Sequence, residues 1–398
     1  MTQEEIDIMY MRRCLQLAAN GLGRVRPNPM VGCVVCRGVP PCTPEVISEG
    51  YHQEHGHNHA ERNALLRNDG AYTGVNPYEG ATLYVNLEPC SHYGHTPPCA
   101  DLIIEKGIRR VVCCNDDPNP LVSGNGFRKL EAAGIEVTRH VLESEGRELN
   151  RRFFTFMEKQ RPYVILKWAE SADGFMAPVG AYPRVRPQED TRAYTDVRPQ
   201  EDTRAYTGVR PLEDTRAYTD VRPLEDTRAY TGVHPQEDTR ASTGVRPLED
   251  TRAYTGVRPY WLSTQRQNRL NHRWRTEEAA ILVGSETYLT DSPTLTARHY
   301  LGPQPQPIVL DRRGRLSNVP SHWLHLRTQT VADTLKVLYE AKLQSVIVEG
   351  GRQVLDAFIQ SGLYDEVRIL RSPQTLGSGL PAPEIPPIAP NRLTIVEP

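Results

Sequence analysis

The sequence predicts an α/β protein of two domains, with a repeat array inserted into the second. Three observations carry this expectation. Short apolar strand patterns alternate with amphipathic helix patterns through residues 30–141, the order that builds a three-layer domain. The same alternation returns across residues 161–377. Between residues 185 and 256 the unit "VRPQEDTRAYTD" recurs with small changes in six copies of twelve residues, followed by the stub "VRP" at Val257.

The N-terminal "MTQEEIDIMYMRRCLQLAANG" reads as an amphipathic helix with charges throughout. It has no long apolar core of the kind a secretory signal needs. No stretch of the chain approaches the ~18 apolar residues of a membrane span. The eight cysteines are not grouped as the disulfide framework of a small secreted domain. A cytoplasmic location is the expectation. With 47 Lys and Arg against 49 Asp and Glu, the net charge is −2, so no basic field of the size that nucleic acid requires is present.

In order, strands are expected at 30–36, 46–52, 81–90, 109–117 and 135–141, and helices at 59–68, 97–107 and 126–134. Pro97 and Pro98 open the second of these helices and Gly107 closes it. A largely parallel sheet centre follows from the alternation. In the second half "RPYVILKWAESADG" is a strand with a tight turn. "EEAAILVGSETYLTDSPTLTAR" is a strand followed by a polar segment. "QPIVLDRRGRL" is a strand ending at Asp311, Arg312 and Arg313. "LQSVIVEGGRQVLDAFIQSGL" is a buried strand, a glycine pair and an amphipathic helix, and "YDEVRILRSPQTLG" supplies a further strand.

Each array copy carries a proline, Pro187, Pro199, Pro211, Pro223, Pro235 and Pro247, so no continuous helix runs through it. Its apolar content is too low to offset the entropy of ordering it. The array reads as a flexible or loosely turned insert rather than an ordered stack. Excising 185–256 joins "FMAPVGAYPR" to "VRPYWLSTQRQNRLNHRWRTEEAAILVG", which reads as strand, polar loop and helix. The array is therefore an expansion inside one loop.

The first half holds His59-Ala60-Glu61, then Pro89-Cys90, then Cys99. One imidazole and two thiolates give zinc three protein ligands and leave the fourth tetrahedral position open, the catalytic arrangement. Zinc in such a site lowers the pKa of its bound water towards ~7. Glu61 is not needed as a ligand and suits proton transfer to a leaving amine. This combination is the signature of the zinc nucleobase deaminases. A closed structural site would need a fourth ligand from His55, His57, His92 or His95, whose loop positions suit solvent or substrate better. Cys33 and Cys36 lie three apart in a strand, so they face opposite sides; the adjacent Cys113 and Cys114 cannot converge either. In the second half, Gly350-Gly351 ends a buried strand at a helix N-terminus, a place that suits phosphate, although an ordinary strand-to-helix turn reads the same way. Arg312 and Arg313 would suit a 2′-phosphate by analogy with dinucleotide folds.

The cysteine spacing in "EPCSHYGHTPPCADLI", with "RPNPMVG" (26–32), "HAERNALL" and "DDPNPLVSGNG" (116–126), resembles the deaminase half of the bifunctional riboflavin-biosynthesis deaminase/reductases. The remainder, without the array, is similar to the reductase half of that family. The resemblance implies a cytidine-deaminase-like domain over 1–150, a dihydrofolate-reductase-like domain over 161–398, and the 185–256 array as an insertion within the latter. It implies Zn²⁺ and NADPH as cofactors and the small molecule 2,5-diamino-6-(5-phosphoribosylamino)pyrimidin-4-one as partner, with no nucleic acid or membrane and an open oligomeric state. The pyrimidine contact falls on Asn28. The cofactor side falls on Ala169, Trp261, Thr287, Asp291 and the turn Gly350, Gly351, Arg352, Gln353 and Val354. The substrate side of the reductase falls on Arg275, Leu295, Arg298 and Glu349; two arginines suit a phosphate. The chain departs from the family at Arg26, often His or a small polar residue, and at Pro259, often Ser, and it closes at "NRLTIVEP" where relatives usually add a strand. A tRNA-type deaminase and a non-catalytic scaffold are the rival readings; the eight-residue cysteine spacing opposes the first, and the complete His59, Glu61, Cys90 and Cys99 set the second.

Overall fold

Helix α1 (Gln3–Ala19) opens the chain. Thr2 and Glu5 cap it reciprocally, Thr2 Oγ1 accepting from Glu5 N at 3.2 Å and the Glu5 carboxylate from Thr2 N at 2.8 Å. The structure is a computed structural model of the chain; it describes residues 1–38, 43–66, 76–93, 97–119, 123–178 and 262–398. The array at 185–256, Pro259 and Trp261 lie outside the described residues.

Strands β1 (Gly32–Arg37), β2 (Glu45–Tyr51), β3 (Thr82–Leu87), β4 (Arg110–Asn115) and β5 (Glu136–Thr138) form one sheet in the order β2-β1-β3-β4-β5. Helices α2 (Ala60–Leu65), α3 (Cys99–Glu105) and α4 (Asn125–Ala132) pack on one face through Ala64, Leu65, Ile103, Phe127 and Leu130. On the other face α1 buries Ile6, Tyr10, Met11 and Cys14, beside α5 (Glu143–Leu149). The three layers agree with the sequence expectation. The largely parallel centre does not: β1 runs antiparallel to both β2 and β3, and only β3, β4 and β5 are mutually parallel. The link from β1 to β2 is too short for a crossover, which needs a dozen residues or more. Cys33 and Cys113 lie under α2–α4, whereas Cys36 and Cys114 lie under α1, so neither pair converges.

Helix α6 (Arg151–Lys159) leads into a second sheet. Its elements are β6 (Tyr163–Glu170), β7 (Phe175–Pro178), α7 (Gln265–Glu277), β8 (Ala280–Gly284), α8 (Ser285–Asp291), β9 (Gln306–Leu310), β10 (Leu324–Leu326), α9 (Val331–Glu340), β11 (Ser345–Val348), α10 (Arg352–Ser361), β12 (Glu366–Arg371), β13 (Gly379–Pro381) and β14 (Leu393–Val396). Seven strands run in the order β10-β9-β8-β11-β6-β12-β14, every neighbouring pair parallel. Leu335 and Leu338 of α9 and Leu355 and Phe358 of α10 cover one face; Trp274 of α7 and Tyr288 of α8 help cover the other. A parallel sheet covered on both faces explains the unbroken apolar runs "YVILKW" and "SVIV". The segment after β8, expected as polar chain, is helical: Tyr288 anchors α8 edge-on against Trp323, ring centroids 5.2 Å apart. The segment "NRLTIVEP" supplies the edge strand β14.

A buried ionic cluster ties α6 to the second sheet. Glu278, 0% exposed, accepts from Arg152 Nε at 2.7 Å and from Arg368 Nη2 at 3.2 Å. Arg368 also donates to Glu366 at 2.6 Å. Among the described residues, no helix is long and apolar enough to cross a membrane.

Candidate active sites

Close packing of α2 on β2 presents the first site. Gly50 makes this possible, since a Cβ there would come within 2.5 Å of Ala60 O and Ala64 N. His59 is the N-cap of α2 and Glu61 lies in its first turn. Cys90 follows β3 on a turn held by Glu88, whose carboxylate accepts from Gly124 N and Gly126 N at 3.0 and 2.9 Å. Cys99 is the first residue of α3, and Ala100 N closes onto Cys90 O at 3.1 Å.

These elements bring His59 Nδ1 to 3.6 Å from Cys90 Sγ and 3.5 Å from Cys99 Sγ. Cys99 N donates to Cys90 Sγ at 3.3 Å. Among the described residues, His59, Cys90 and Cys99 are the group placed to hold a metal, with ligand atoms within 4.8 Å of one another. One imidazole nitrogen and two sulfurs in that space fit zinc. His95 lies outside the described residues. Glu61 is 3% exposed, and burial raises its pKa against the opposing pull of His59.

Asn28, the expected pyrimidine contact, lies beside this group. Its Nδ2 is 3.1 Å from His52 Nε2, while His52 Nδ1 is 2.9 Å from Asn58 O. A carbonyl only accepts, so His52 carries its proton on Nδ1 and accepts from Asn28 at Nε2. Burial lowers the His52 pKa, which keeps this tautomer neutral. Sequence reasoning missed His52; a His two residues past a strand glycine was its faint signal.

The second site lies at the carboxyl ends of β6, β8 and β11. Glu349 follows β11 and accepts from Arg275 Nη2 at 2.9 Å, with Lys167 Nζ at 3.4 Å. Arg275 also donates through Nη1 to Thr296 O at 2.9 Å, leaving its buried Nε without a partner. Burial would raise the Glu349 pKa, but Lys167 and Arg275 hold it down to about 2. Burial lowers the pKa of Lys167 in spite of Glu349. Lys167 was missed as well; a lysine inside "VILKWA" was the available signal. His272 of α7 stacks edge-on with His299 at 4.6 Å, and burial, then Arg275, His299 and Arg298, push its pKa to about 4. Leu295 is buried near this group in a left-handed conformation, φ 54°.

On the expected cofactor side, Thr287 Oγ1 accepts from Gly351 N at 2.9 Å, which joins α8 to the start of α10. Gly351 is the N-cap of α10, and Arg352, Gln353 and Val354 form its first turn. Arg352 turns its guanidinium to Asp356, at 2.7 Å, and to the carbonyls of Pro381 and Ala382. Gly350 has a negative φ, and the reason for glycine there is packing: a Cβ would come within 2.5 Å of Gly284 N. Asp291 ends α8, its pKa raised by burial. Ala169 lies near the end of β6, paired with Leu370. Arg312 and Arg313 are exposed after β9.

A buried carboxylate beside an imidazole and two thiols, on a three-layer sheet, defines a zinc-dependent deaminase half; a parallel-sheet reductase half follows it. Residues 4–115 match the cytidine and deoxycytidylate deaminase zinc-binding region, and residues 251–394 match the RibD C-terminal domain. The riboflavin biosynthesis proteins RibD of Aquifex aeolicus and Escherichia coli are each 32% identical, with 94% of this chain and 89% of theirs covered. The crystal structure of a diaminohydroxyphosphoribosylaminopyrimidine deaminase/5-amino-6-(5-phosphoribosylamino)uracil reductase from Thermotoga maritima superposes with a TM-score of 0.67 at 31% identity, covering 96% of this chain and 90% of that one. The chain belongs to the RibD family. It is a bifunctional deaminase and reductase of riboflavin biosynthesis that uses zinc and NADPH.

Proposed function

We propose that residues 1–150 deaminate 2,5-diamino-6-(5-phosphoribosylamino)pyrimidin-4-one and that residues 161–398, interrupted by the 185–256 array, reduce the product's ribosyl group to ribityl. The observation that carries this reading is the convergence of His59, Cys90 and Cys99 beside the buried Glu61. His59 Nδ1 and the two sulfurs would hold the zinc, which when bound would lower the pKa of its water towards ~7. Glu61 takes a proton from the attacking water and passes it to the departing amine. The water oxygen bonds to the amine-bearing carbon, the C–N bond breaks and ammonia leaves. Asn28, its amide N–H committed to His52, turns its carbonyl oxygen to the pyrimidine.

In the reductase half, NADPH supplies hydride. The first turn of α10 offers the N–H groups of Arg352 and Gln353 to its phosphates, since Gly351 N is held by Thr287 Oγ1 and Val354 N by Gly351 O. Thr287 orients that turn, and Ala169, Asp291 and Trp261 complete the cofactor side. Arg298 and Arg275 receive the substrate phosphate, and Leu295 packs against the sugar. Glu349 stays ionised between Lys167 and Arg275, and Lys167, with its lowered pKa, is the group that carries a proton to the sugar oxygen as the ring opens. Positioning of donor and acceptor supplies much of the rate.

The near-balanced charge of −2 offers no basic field for nucleic acid, and the free thiols of the first core suit a cytoplasm. The test is direct: purified protein is given the diaminopyrimidine and NADPH, and ammonia release and NADPH oxidation are followed together. Ammonia without later NADPH oxidation would remove the reductase assignment; neither signal would remove both.

A further inference from the structure

Arg352 is the first residue of α10, in the turn expected to meet the NADPH phosphates, yet its guanidinium is committed elsewhere. We propose that Arg352 is a positioning residue. Its side chain clamps the chain leaving β13 onto α10 and so holds the phosphate-binding turn in place, while its backbone N–H is the part left for the cofactor. This rests on the reductase reading above and adds to it the side-chain pair, Arg352 and Asp356, that sets the turn.

The clamp is made by two nitrogens. Nε donates to both carboxylate oxygens of Asp356, one helical turn further on, at 2.7 Å each. Nη1 donates to the carbonyls of Pro381 and Ala382 at 2.8 and 2.9 Å. Asp356 thus orients the planar guanidinium so that its other edge meets the two carbonyls. The sequence explains why a side chain is needed there. The segment "PAPEIPP" (381–387) carries Pro381, Pro383, Pro386 and Pro387, which have no N–H to continue a ladder. The pairing of β13 with β7 accordingly ends at Pro381. Ala382 N still donates to Gly174 O at 2.8 Å, and Arg352 supplies the donors for the carbonyls.

The clamped chain belongs to the cofactor side. β13 pairs antiparallel with β7, which follows the end of β6 where Ala169 lies. The turn between β6 and β7 is stitched to the chain that leads into β13. Asp173 accepts from Leu376 N and Gly377 N at 3.0 and 2.7 Å, and Ala172 N donates to Gln374 O at 2.8 Å. From α8, Thr287 holds the start of α10 through Gly351 N at 2.9 Å. The phosphate-binding turn therefore has two supports, α8 and the β7–β13 ribbon, and Arg352 joins it to the second. Backbone N–H groups bind a ligand better when the ligand does not have to order them. A guanidinium that already holds a carboxylate and two carbonyls would have to release them to reach a phosphate.

The test compares the NADPH Kd, by fluorescence titration well below each protein's unfolding temperature, for wild type, Arg352→Met, Asp356→Asn and the double variant. Arg352→Met should raise Kd about fivefold or more. Asp356→Asn should raise it too, and the double variant should bind no more weakly than Arg352→Met, because the two side chains act as one unit. In the protein without NADPH, amide exchange over residues 374–382 should quicken in each variant while that of β11 stays slow. A direct phosphate-ligand role for Arg352 predicts the opposite sign. Asp356→Asn would then free the guanidinium and tighten NADPH binding, and that result would overturn the proposal. So would an unchanged Kd in both single variants with a lowered unfolding temperature, the mark of an ion pair that serves stability alone. If Arg352→Met does not fold, the sign of the Asp356→Asn effect decides. Failure of wild type to bind NADPH would instead overturn the reductase reading itself.

Discussion

Replacing Arg152 by Met tests whether the buried ionic cluster joins the two halves. Glu278 is wholly buried and accepts from both Nε and Nη2 of Arg152, at 2.7 and 2.5 Å. Arg368 remains as its other guanidinium partner at 3.2 Å. Methionine keeps the stem volume and removes the charge, so the cost is that of a buried carboxylate left half-paired. Breaking a buried pair from one side costs about 3–5 kcal/mol; the remaining Arg368 puts the expectation at the lower end, about 3 kcal/mol. Urea denaturation followed by tryptophan fluorescence reads it, since Trp274 lies 5.0 Å from the Arg368 guanidinium. Adding Glu278→Gln to Arg152→Met should recover part of the loss, because the unpaired charge is then gone. A loss under about 1 kcal/mol, the scale of exposed pairs, would refute the claim that this cluster is buried and holds α6 to α7 and β12.

Glu61→Gln should retain zinc and lose deamination by at least ~100-fold; metal analysis and ammonia release measured together decide this, and loss of zinc would make Glu61 a ligand. Gly350→Ala should destabilise the reductase half through its clash with Gly284 N, lowering thermal stability even without NADPH. Gly351→Ala meets only Thr287 Oγ1, at 3.2 Å, and should weaken NADPH binding by fluorescence titration with a smaller stability loss. Acid should destabilise the protein in a defined window. The folded pKa of Glu349 is depressed to about 2, so its contribution, about 3 kcal/mol, is complete above the ordinary carboxylate value and is lost as pH falls from there through about 2. Stability by urea midpoint that stays flat across that window would contradict the pairing with Lys167 and Arg275. Deleting 185–256 should leave zinc content and both activities intact, since each doubling of a loop costs only ~0.6 kcal/mol; a folded, zinc-loaded deletion variant without reductase turnover would make the array part of that site.

The candidate zinc site was legible in the sequence because its residue types and spacing are local: His59 and Glu61 share one helix start, Cys90 ends a strand at a proline turn, and Cys99 opens the next helix. What holds these elements together is not local, since Glu88 fixes the Cys90 turn by accepting from Gly124 N and Gly126 N. The strands of both halves were legible for the same reason, as was the opposite facing of Cys33 and Cys36, which strand period alone dictates. Strand direction was not: β1 lies antiparallel to β3 although many residues separate them, and periodicity is the same in either direction. Arg275 and Glu349 were named through the family resemblance, but Lys167 and the pairing of the three charges were beyond the sequence, because they come from β6, from the end of β11 and from α7, and only the order β8-β11-β6 makes them neighbours. Glycine at 350 was legible as a turn, but its cause was the backbone of β8, a contact set by tertiary packing. Local chemistry selects an element and its termini; which charges meet in a low-dielectric interior, and so which titrate abnormally, depends on strand order and burial that only the folded chain supplies.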